Sequence, residues 1–343
     1  MSKVQVKKLT EQDISRWDRF AAECGDATFF HLAGWRTVID RAFGHDTHYL
    51  FAEADGAIVG ILPLVHVHSR LFANALVSTP FCVYGGIATH DTLARAALEE
   101  AACALARELR VQYLEMRNIT PRRPDWLNKS LYVTFRREIF ADPDRNLLAI
   151  PQKQRAMVRK GIKAGLEASL DAGVDRLYAL YSESLRNLGT PVFGRRYLEI
   201  IREVFGSACE VVTVTHAGAP VASVLNFYFR DTILPYYGGG SSVARDLKAN
   251  DFMYWEVMRR AAERGVRVFD FGRSKVGTGS YRFKKHWGFD ETPLAYEYFL
   301  VRAHSMPNLS PTNPKYRLLV SAWQRMPLPL SRLLGPPLAR HLG

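Results

Sequence analysis

The chain has 343 residues, with 46 Lys and Arg against 34 Asp and Glu, and a formal net charge of +12. A hydrophobic share of 48% with 12% aromatic residues supplies ample material for packed cores, which excludes an intrinsically disordered chain, and the length suits two domains of ordinary size. The charge favours an anionic partner (RNA, a phosphorylated sugar, a nucleotide carrier or an acidic lipid surface) without choosing among them, and a generic solubilising role explains it equally well.

The amino terminus, MSKVQVKKLTEQD, lacks the apolar core of a signal peptide. No run approaches the ~18 apolar residues that span a bilayer. Cys24, Cys82, Cys103 and Cys209 lie far apart with no CxxC pair, which argues for a reduced compartment and against structural zinc. The expected location is cytoplasmic. The ten histidines, His66 and His68 among them, show no metal-ligand spacing, and no Ser-His-Asp constellation is present. Neither a metal nor a covalent enzyme intermediate is expected.

Elements then repeat along the chain. WRTVIDRAFG (Trp35–Gly44) and YLEIIREVFG (Tyr197–Gly206) share a helical apolar spacing and end in Phe-Gly, 162 residues apart. The same offset aligns ADGAIVGILPL (Ala54–Leu64) with HAGAPVASVLN (His216–Asn226), each read as two strands joined by a tight turn at Gly56 or Gly218. CVYGGIA (Cys82–Ala88) aligns with PYYGGGS (Pro235–Ser241) at a slightly shorter offset. Helical stretches follow at Leu93–Leu109 and Phe252–Glu263, then the apolar strands VQYLEMRN and VRVFDFGRS, carrying the acids Glu115 and Asp270. Ordered blocks of this kind indicate a duplicated unit of about 150 residues. The expected fold is α/β (α+β): two tandem units, each a mixed, mostly antiparallel sheet flanked by helices. Their bounds are expected at 1–145 and 146–305, with LYVTFRREIF (Leu131–Phe140) closing the first and a basic tail at 306–343.

Duplicated strand–helix–strand units of this order resemble tandem GNAT-type acyltransferase domains. IPQKQRAMVRKGIKAGLE (Ile150–Glu167) and FDFGRSKVGTGSYRFKKHWGF (Phe269–Phe289) are similar to two segments of the FemABX family. The overall pattern most resembles FemAB-like proteins associated with exosortase and exopolysaccharide systems. The resemblance implies an N-acyltransferase that moves an aminoacyl or acyl group onto an amine of a cell-envelope glycan or peptidoglycan precursor. No cofactor is implied, since the donor, aminoacyl-tRNA or acyl-CoA, is a substrate. The implied acceptor is phosphorylated or lipid-linked. Against acyl-CoA, neither Ser242–Asp251 nor Ile87–Ala96 carries the glycines of the loop that cradles the CoA pyrophosphate.

The candidate site lies in the second half. YRFKKHWGF (Tyr281–Phe289) reads as a half-buried strand, with Tyr281, Phe283 and Lys285 on one face and Arg282, Lys284 and His286 on the other. Acyl transfer builds negative charge on a carbonyl oxygen, and a fixed cation there lowers the barrier. The resemblance places Lys284 at the donor end of the cleft, against the alternative of a surface lysine, with Tyr281, Phe283 and Trp287 as substrate-binding rings beside it. Asp270 and Arg273, at the end of a central strand, are a base and its neighbour or a pair that fixes the loop. Gly277 and Gly279 loosen that loop. Tyr237, beside Tyr236, borders the cleft or packs.

On the junction helix, which Pro151 starts and Gly165 caps, Arg155, Arg159 and Lys163 form one stripe and Val158, Ile162 and Leu166 another. The resemblance implies phosphate contact at Lys153 and Arg155, where a solvated face is the alternative. Beyond Glu297 no acid occurs, while Arg302, Lys315, Arg317, Arg325, Arg332 and Arg340 supply +6. Prolines make this tail too broken for one long helix. It either packs over the first domain, as the resemblance implies, or residues 307–343 hold the protein to an anionic membrane at its inner face. A catalytically silent adaptor that binds RNA, glycan or membrane is the competing reading from another class.

Overall fold

The computed structural model describes residues 3–69, 74–306 and 314–341, the side chains of residues 314–317 excepted. In chain order the elements are β1 (Gln5–Lys8), α1 (Ile14–Glu23), α2 (Gly34–Phe43), β2 (Asp46–Thr47), β3 (Leu50–Ala54), β4 (Ala57–Leu62), β5 (Leu64–His68), β6 (Asn74–Ser78), α3 (Thr92–Glu108), β7 (Tyr113–Asn118) and β8 (Leu127–Lys129). Next come β9 (Tyr132–Glu138), α4 (Pro143–Ala149), α5 (Gln152–Lys163), β10 (Leu166–Asp171), α6 (Asp175–Leu188), α7 (Arg195–Phe205), β11 (Cys209–His216), β12 (Ala219–Phe229) and β13 (Thr232–Gly240). The chain ends with α8 (Ala244–Leu247), α9 (Ala249–Glu263), β14 (Val268–Asp270), β15 (Ser274–Lys275), α10 (Gly279–His286), β16 (Glu291–Pro293), β17 (Ala295–Leu300), α11 (Pro314–Arg325) and α12 (Leu328–Ala339).

Contacts divide the chain into two compact units, residues 1–132, 293–308 and 340–343 against residues 133–292 and 309–339. The first holds a small sheet, β1-β3-β4, and a larger one, β2-β5-β6-β7-β17-β8. The second holds one sheet in the order β10-β11-β12-β13-β14-β9-β15, with β16 beside β9. Both sheets that carry a strand–helix–strand crossover are mixed. β6 runs parallel to β7 and β13 parallel to β14, and each of these four strands has an antiparallel partner on its other side. The first unit buries Leu62, Leu76, Leu98 and Leu114 between sheet and α3, and the second buries Val224, Phe269, Met258 and Trp287 around α9.

The duplication is visible in the backbone. Both hairpins, β3–β4 and β11–β12, turn on two residues with positive φ, Asp55 (49°) with Gly56 (78°) and Ala217 (48°) with Gly218 (78°). That is the type I′ turn, whose twist suits the flanking strands and whose second position favours glycine. The copies differ at Pro63. A proline has no N–H for the ladder, so the strand breaks there into β4 and β5. Its counterpart 162 residues on is Leu225, where β12 runs through and only shifts register against β13.

Three sequence expectations change. The expected boundary at residue 145 gives way to an exchange: β9, taken as the end of the first domain, joins the sheet of the second unit from Val133, and β17, taken as part of the second, pairs with β7 in the first. Hydrogen-bonding edges, not chain order, decide sheet membership. CVYGGIA is loop whereas PYYGGGS lies in β13, so that pair matches in sequence but not in conformation. The tail forms two helices on α6 of the second unit rather than covering the first. Arg332 donates Nε–H to Ser182 Oγ at 2.8 Å there, and Arg186 donates to the Gln324 carbonyl at 3.3 Å. Of the tail, residues 306–308 and 340–343 fall in the first unit. Lys315 and Arg317 lie outside the described side chains.

Helix α6 seats against β13 at Gly239, where a Cβ would stand 2.6 Å from the Leu180 carbonyl oxygen and 2.8 Å from the Tyr181 Cα. Those neighbours are backbone and cannot swing aside. Gly239→Ala is expected to destabilise the protein by about 2 kcal/mol through overpacking, measured by urea denaturation; an unchanged midpoint would show that this approach is looser.

Candidate active site

Residues Tyr281–Phe289 are not a strand. Gly279–His286 is helical, Thr278 caps it by accepting from the Tyr281 N–H at 3.4 Å, and Gly288 (φ 75°) lets the chain leave. Phe283 and Trp287, four apart, fall on one helix face and pack with Tyr254, Phe271 and Phe289. Nine residues satisfy both an alternating and a helical pattern, and the cap decides between them.

That packing carries Lys284 inward. Its side chain is buried, and Nζ donates to the carbonyls of Phe271 (2.6 Å), Gly272 (3.0 Å) and Arg273 (3.2 Å). An ammonium has three protons and all three are used. Burial pushes its pKa from the ordinary 10.5 down to about 7, with Asp270 pulling it up and Arg273 pushing it further down. Lys284 is therefore no surface lysine. A direct contact with a donor requires one of its three bonds to be exchanged.

Asp270 ends β14 and is buried. It accepts from the Gly272 N–H at 2.7 Å and from Thr134 Oγ1 at 3.2 Å, and it forms an ion pair with Arg136 of β9 at 3.3 Å. The carbonyl of Arg273 receives Lys284. This group sits where β13 and β14 part. The two strands pair only at Thr232–Val268 and Ile233–Phe269, while β13 continues to Gly240.

The remaining expected residues are spread out. Trp287 is fully buried and donates Nε1–H to Asp251 at 3.1 Å, which makes it core rather than a substrate ring. Phe283 is half-buried in the same cluster, and Tyr281 is half-buried with its ring edge-on to Phe135. Tyr237 is buried, with its hydroxyl 2.7 Å from that of Tyr197 and its ring against Tyr181 and Phe193. On α5, Lys153 is exposed and half-buried Arg155 donates to the Leu148 carbonyl at 3.1 Å. Pro151 is the N-cap rather than the first helical residue, Gly165 (φ 73°) follows the C-cap as expected, and Ile162, assigned to the apolar stripe, is exposed.

Sequence reasoning missed Arg136, Thr134, Asp251 and Arg117. Arg136 and Thr134 reach Asp270 only because β9 changes sheets. Asp251, in the first turn of α9, accepts from Gln154 and Trp287, and burial pushes its pKa up. In the first unit, Glu115 accepts from Arg117 Nε at 2.8 Å, both residues being buried. Glu115 occupies the position on β7 that Asp270 occupies on β14, but the role of Arg117 had no signal beyond its place in YLEMRN.

Residues 152–285 match the family model described as an acetyltransferase (GNAT) domain, a span that contains β14 and Lys284. No curated protein matches the sequence. Among solved structures, FemX superposes with a TM-score of 0.68 at 14% identity, over 92% of this chain and 100% of that one. The L-PGS of Bacillus licheniformis gives 0.54 at 14%, over 96% and 99%. A tandem GNAT protein from the clavulanic acid biosynthesis pathway gives 0.52 at 13%, over 86% and 97%. At such identities the likeness is one of fold. The match to the acetyltransferase (GNAT) domain model over residues 152–285 thus lies within a mixed α/β fold of helix-flanked sheets that is similar to those of FemX and of a tandem GNAT protein.

Proposed function

We propose that this protein is an N-acyltransferase whose second unit carries the transfer, moving an aminoacyl or acyl group to an amine on a phosphorylated or lipid-linked cell-envelope glycan or peptidoglycan precursor. The observation that supports this is the buried Lys284–Asp270 group at the parting of β13 and β14, inside the segment that matches the acetyltransferase domain. In the reaction the acceptor nitrogen attacks the donor carbonyl carbon, the carbon–oxygen bond of an ester or the carbon–sulfur bond of a thioester breaks, and the proton lost by the amine ends on the departing oxygen or sulfur. Charge develops on the carbonyl oxygen in between. Lys284 stabilises it by exchanging its longest bond, to the Arg273 carbonyl at 3.2 Å, for the oxyanion. Asp270 acts as a positioning residue that holds Arg136 and the Gly272 N–H in place.

Aminoacyl-tRNA is the preferred donor. An acyl-CoA pyrophosphate would approach the start of α9, where the first turn carries the buried carboxylate of Asp251 instead of a glycine loop. A negative charge there opposes a phosphate. The test supplies the full chain with labelled aminoacyl-tRNA or acyl-CoA and an amine acceptor. Turnover is expected with the first donor, and Lys284→Ala is expected to lower it by about 100-fold or more with an unchanged circular dichroism spectrum. Near-normal turnover in that variant would discard the role of Lys284, and no transfer from either donor would favour the adaptor.

The proton on Lys284 also makes stability depend on pH. Its folded pKa of about 7 lies below the ordinary 10.5, so between those values the unfolded chain holds more protons and stability rises with pH. Urea denaturation should show a gain of roughly 3 kcal/mol from pH 7 to 9.5 that Lys284→Met lacks.

Helices α11 and α12 leave Leu318 (82% exposed), Leu319 (65%) and Leu333 (70%) open to solvent, and Arg325 of α11 is exposed as well. We assign these residues to an anionic membrane surface. No helix among the described residues is long and apolar enough to cross a membrane. Co-sedimentation with phosphatidylglycerol vesicles is expected for the full chain and is expected to fall severalfold in Leu318→Ser/Leu333→Ser; equal binding by the variant would remove the assignment.

A further inference from the structure

The first unit contains a cavity of about 180 Å³ that the transfer chemistry does not use. It opens at the end of β7, between Arg117–Thr120 with Arg122 on one side and Tyr84–Ile87 on the other, with Gly25, Asp26 and His31 completing the wall. Arg117 is 4% exposed. Its Nε is taken by Glu115, and its Nη1 donates to the Cys82 carbonyl at 2.6 Å and the Thr79 carbonyl at 3.5 Å. Its Nη2 makes no hydrogen bond among the described residues, although a guanidinium so deeply buried ordinarily uses every donor.

The backbone around it is under-used in the same sense. The N–H groups of Gly86, Ile87, Ile119 and Thr120 all belong to cavity-lining residues and make no hydrogen bond among the described residues. His31 holds one of these peptides: its Nδ1 accepts from the Thr28 N–H, so Nε2 carries the proton and donates to the Gly86 carbonyl at 2.8 Å. The Ile87 N–H, in the same trans peptide, faces the opposite way. At Gly86 a Cβ would stand 1.8 Å from Asn118 Oδ1, so a larger residue requires that side chain to move. The one carboxylate on the wall, Asp26, is already held by Arg95 at 2.9 Å and Arg122 at 3.4 Å.

We propose that this cavity binds a phosphate group of a small ligand, held by Arg117 Nη2, Arg122 and the unpaired N–H groups of the two flanking segments. A planar carboxylate matches a guanidinium fork edge-on, but Arg117 offers one free nitrogen and the other donors come from separate stretches of backbone. A tetrahedral anion, with oxygens in several directions, uses such a set more completely. The assignment stands apart from the chemistry proposed for the second unit, because it concerns binding alone.

Calorimetric titration of the full chain with inorganic phosphate, methyl phosphate and acetate tests it without turnover. Both phosphates are expected to bind at one site and acetate at least 10-fold more weakly. Arg117→Lys, which removes Nη2 but keeps the charge beside Glu115, is expected to weaken phosphate at least 10-fold, and Arg122→Ala severalfold. Lys284→Ala is expected to leave binding unchanged, which separates this cavity from the second unit. Absence of saturable phosphate binding by the unmodified protein, acetate binding as tightly as phosphate, or equal weakening by Lys284→Ala would each overturn the assignment. So would unweakened binding in a folded Arg117→Lys protein. Should that variant fail to fold, the unmodified protein and Arg122→Ala decide the matter.

Discussion

Parallel strands that pair over only two or three residues set the terms for both units. β13 and β14 share two register positions and β6 and β7 share three, after which the backbone beyond each pair needs other partners. Buried carbonyls cannot be left without donors. The second unit answers with Lys284, which serves three carbonyls in succession, and the first with Arg117, which serves those of Thr79 and Cys82. Each cation lies near a buried acid at the same sheet position, Asp270 or Glu115. Removing one member of such a group strands the other in a poor dielectric, which costs more than the pair itself contributes.

From this shared solution the copies diverge. Lysine presents a compact charge whose proton is loosened by burial, suited to meeting a developing oxyanion. Arginine stays charged at any relevant pH and keeps a fixed fork, suited to holding an anion that is already there. The break at Pro63 reinforces the difference, since it separates β4 from β5 where the second copy keeps one continuous strand. The first copy thus retains an acid and a cation without the Gly-Arg-Ser and Phe-Lys-Lys residues of the second. Loss of those motifs does not amount to loss of a polar centre.

The parts of the fold legible in the sequence were those fixed by local chemistry. Two-residue turns with Asp-Gly and Ala-Gly demand positive φ, and the 162-residue offset carried that demand twice, so the hairpins followed. Helices α3 and α9 were readable from their length. The stretch Tyr281–Phe289 was not, because its rings suit both periods and the deciding contact is a single hydroxyl on Thr278. The site was legible in part. Lys284 and Asp270 stand together at the end of β14, but Arg136 comes from a strand that seemed to close the preceding domain, and no pattern in LYVTFRREIF states which edge it will find. Trp287 is expected as a binding ring from its place beside Lys284 in the motif; its N–H finds Asp251 inside the core instead.

The exchange of β9 and β17 has a consequence for how this chain can be divided. A gene cut near residue 145 would hand each product a sheet missing one strand and carrying a superfluous one, leaving backbone donors and acceptors open along an apolar edge. Neither half corresponds to an uninterrupted piece of the polypeptide, so a shuffling event that moved one half alone would deliver an incomplete module. Inheritance of the two together is therefore written into the hydrogen-bonding pattern itself.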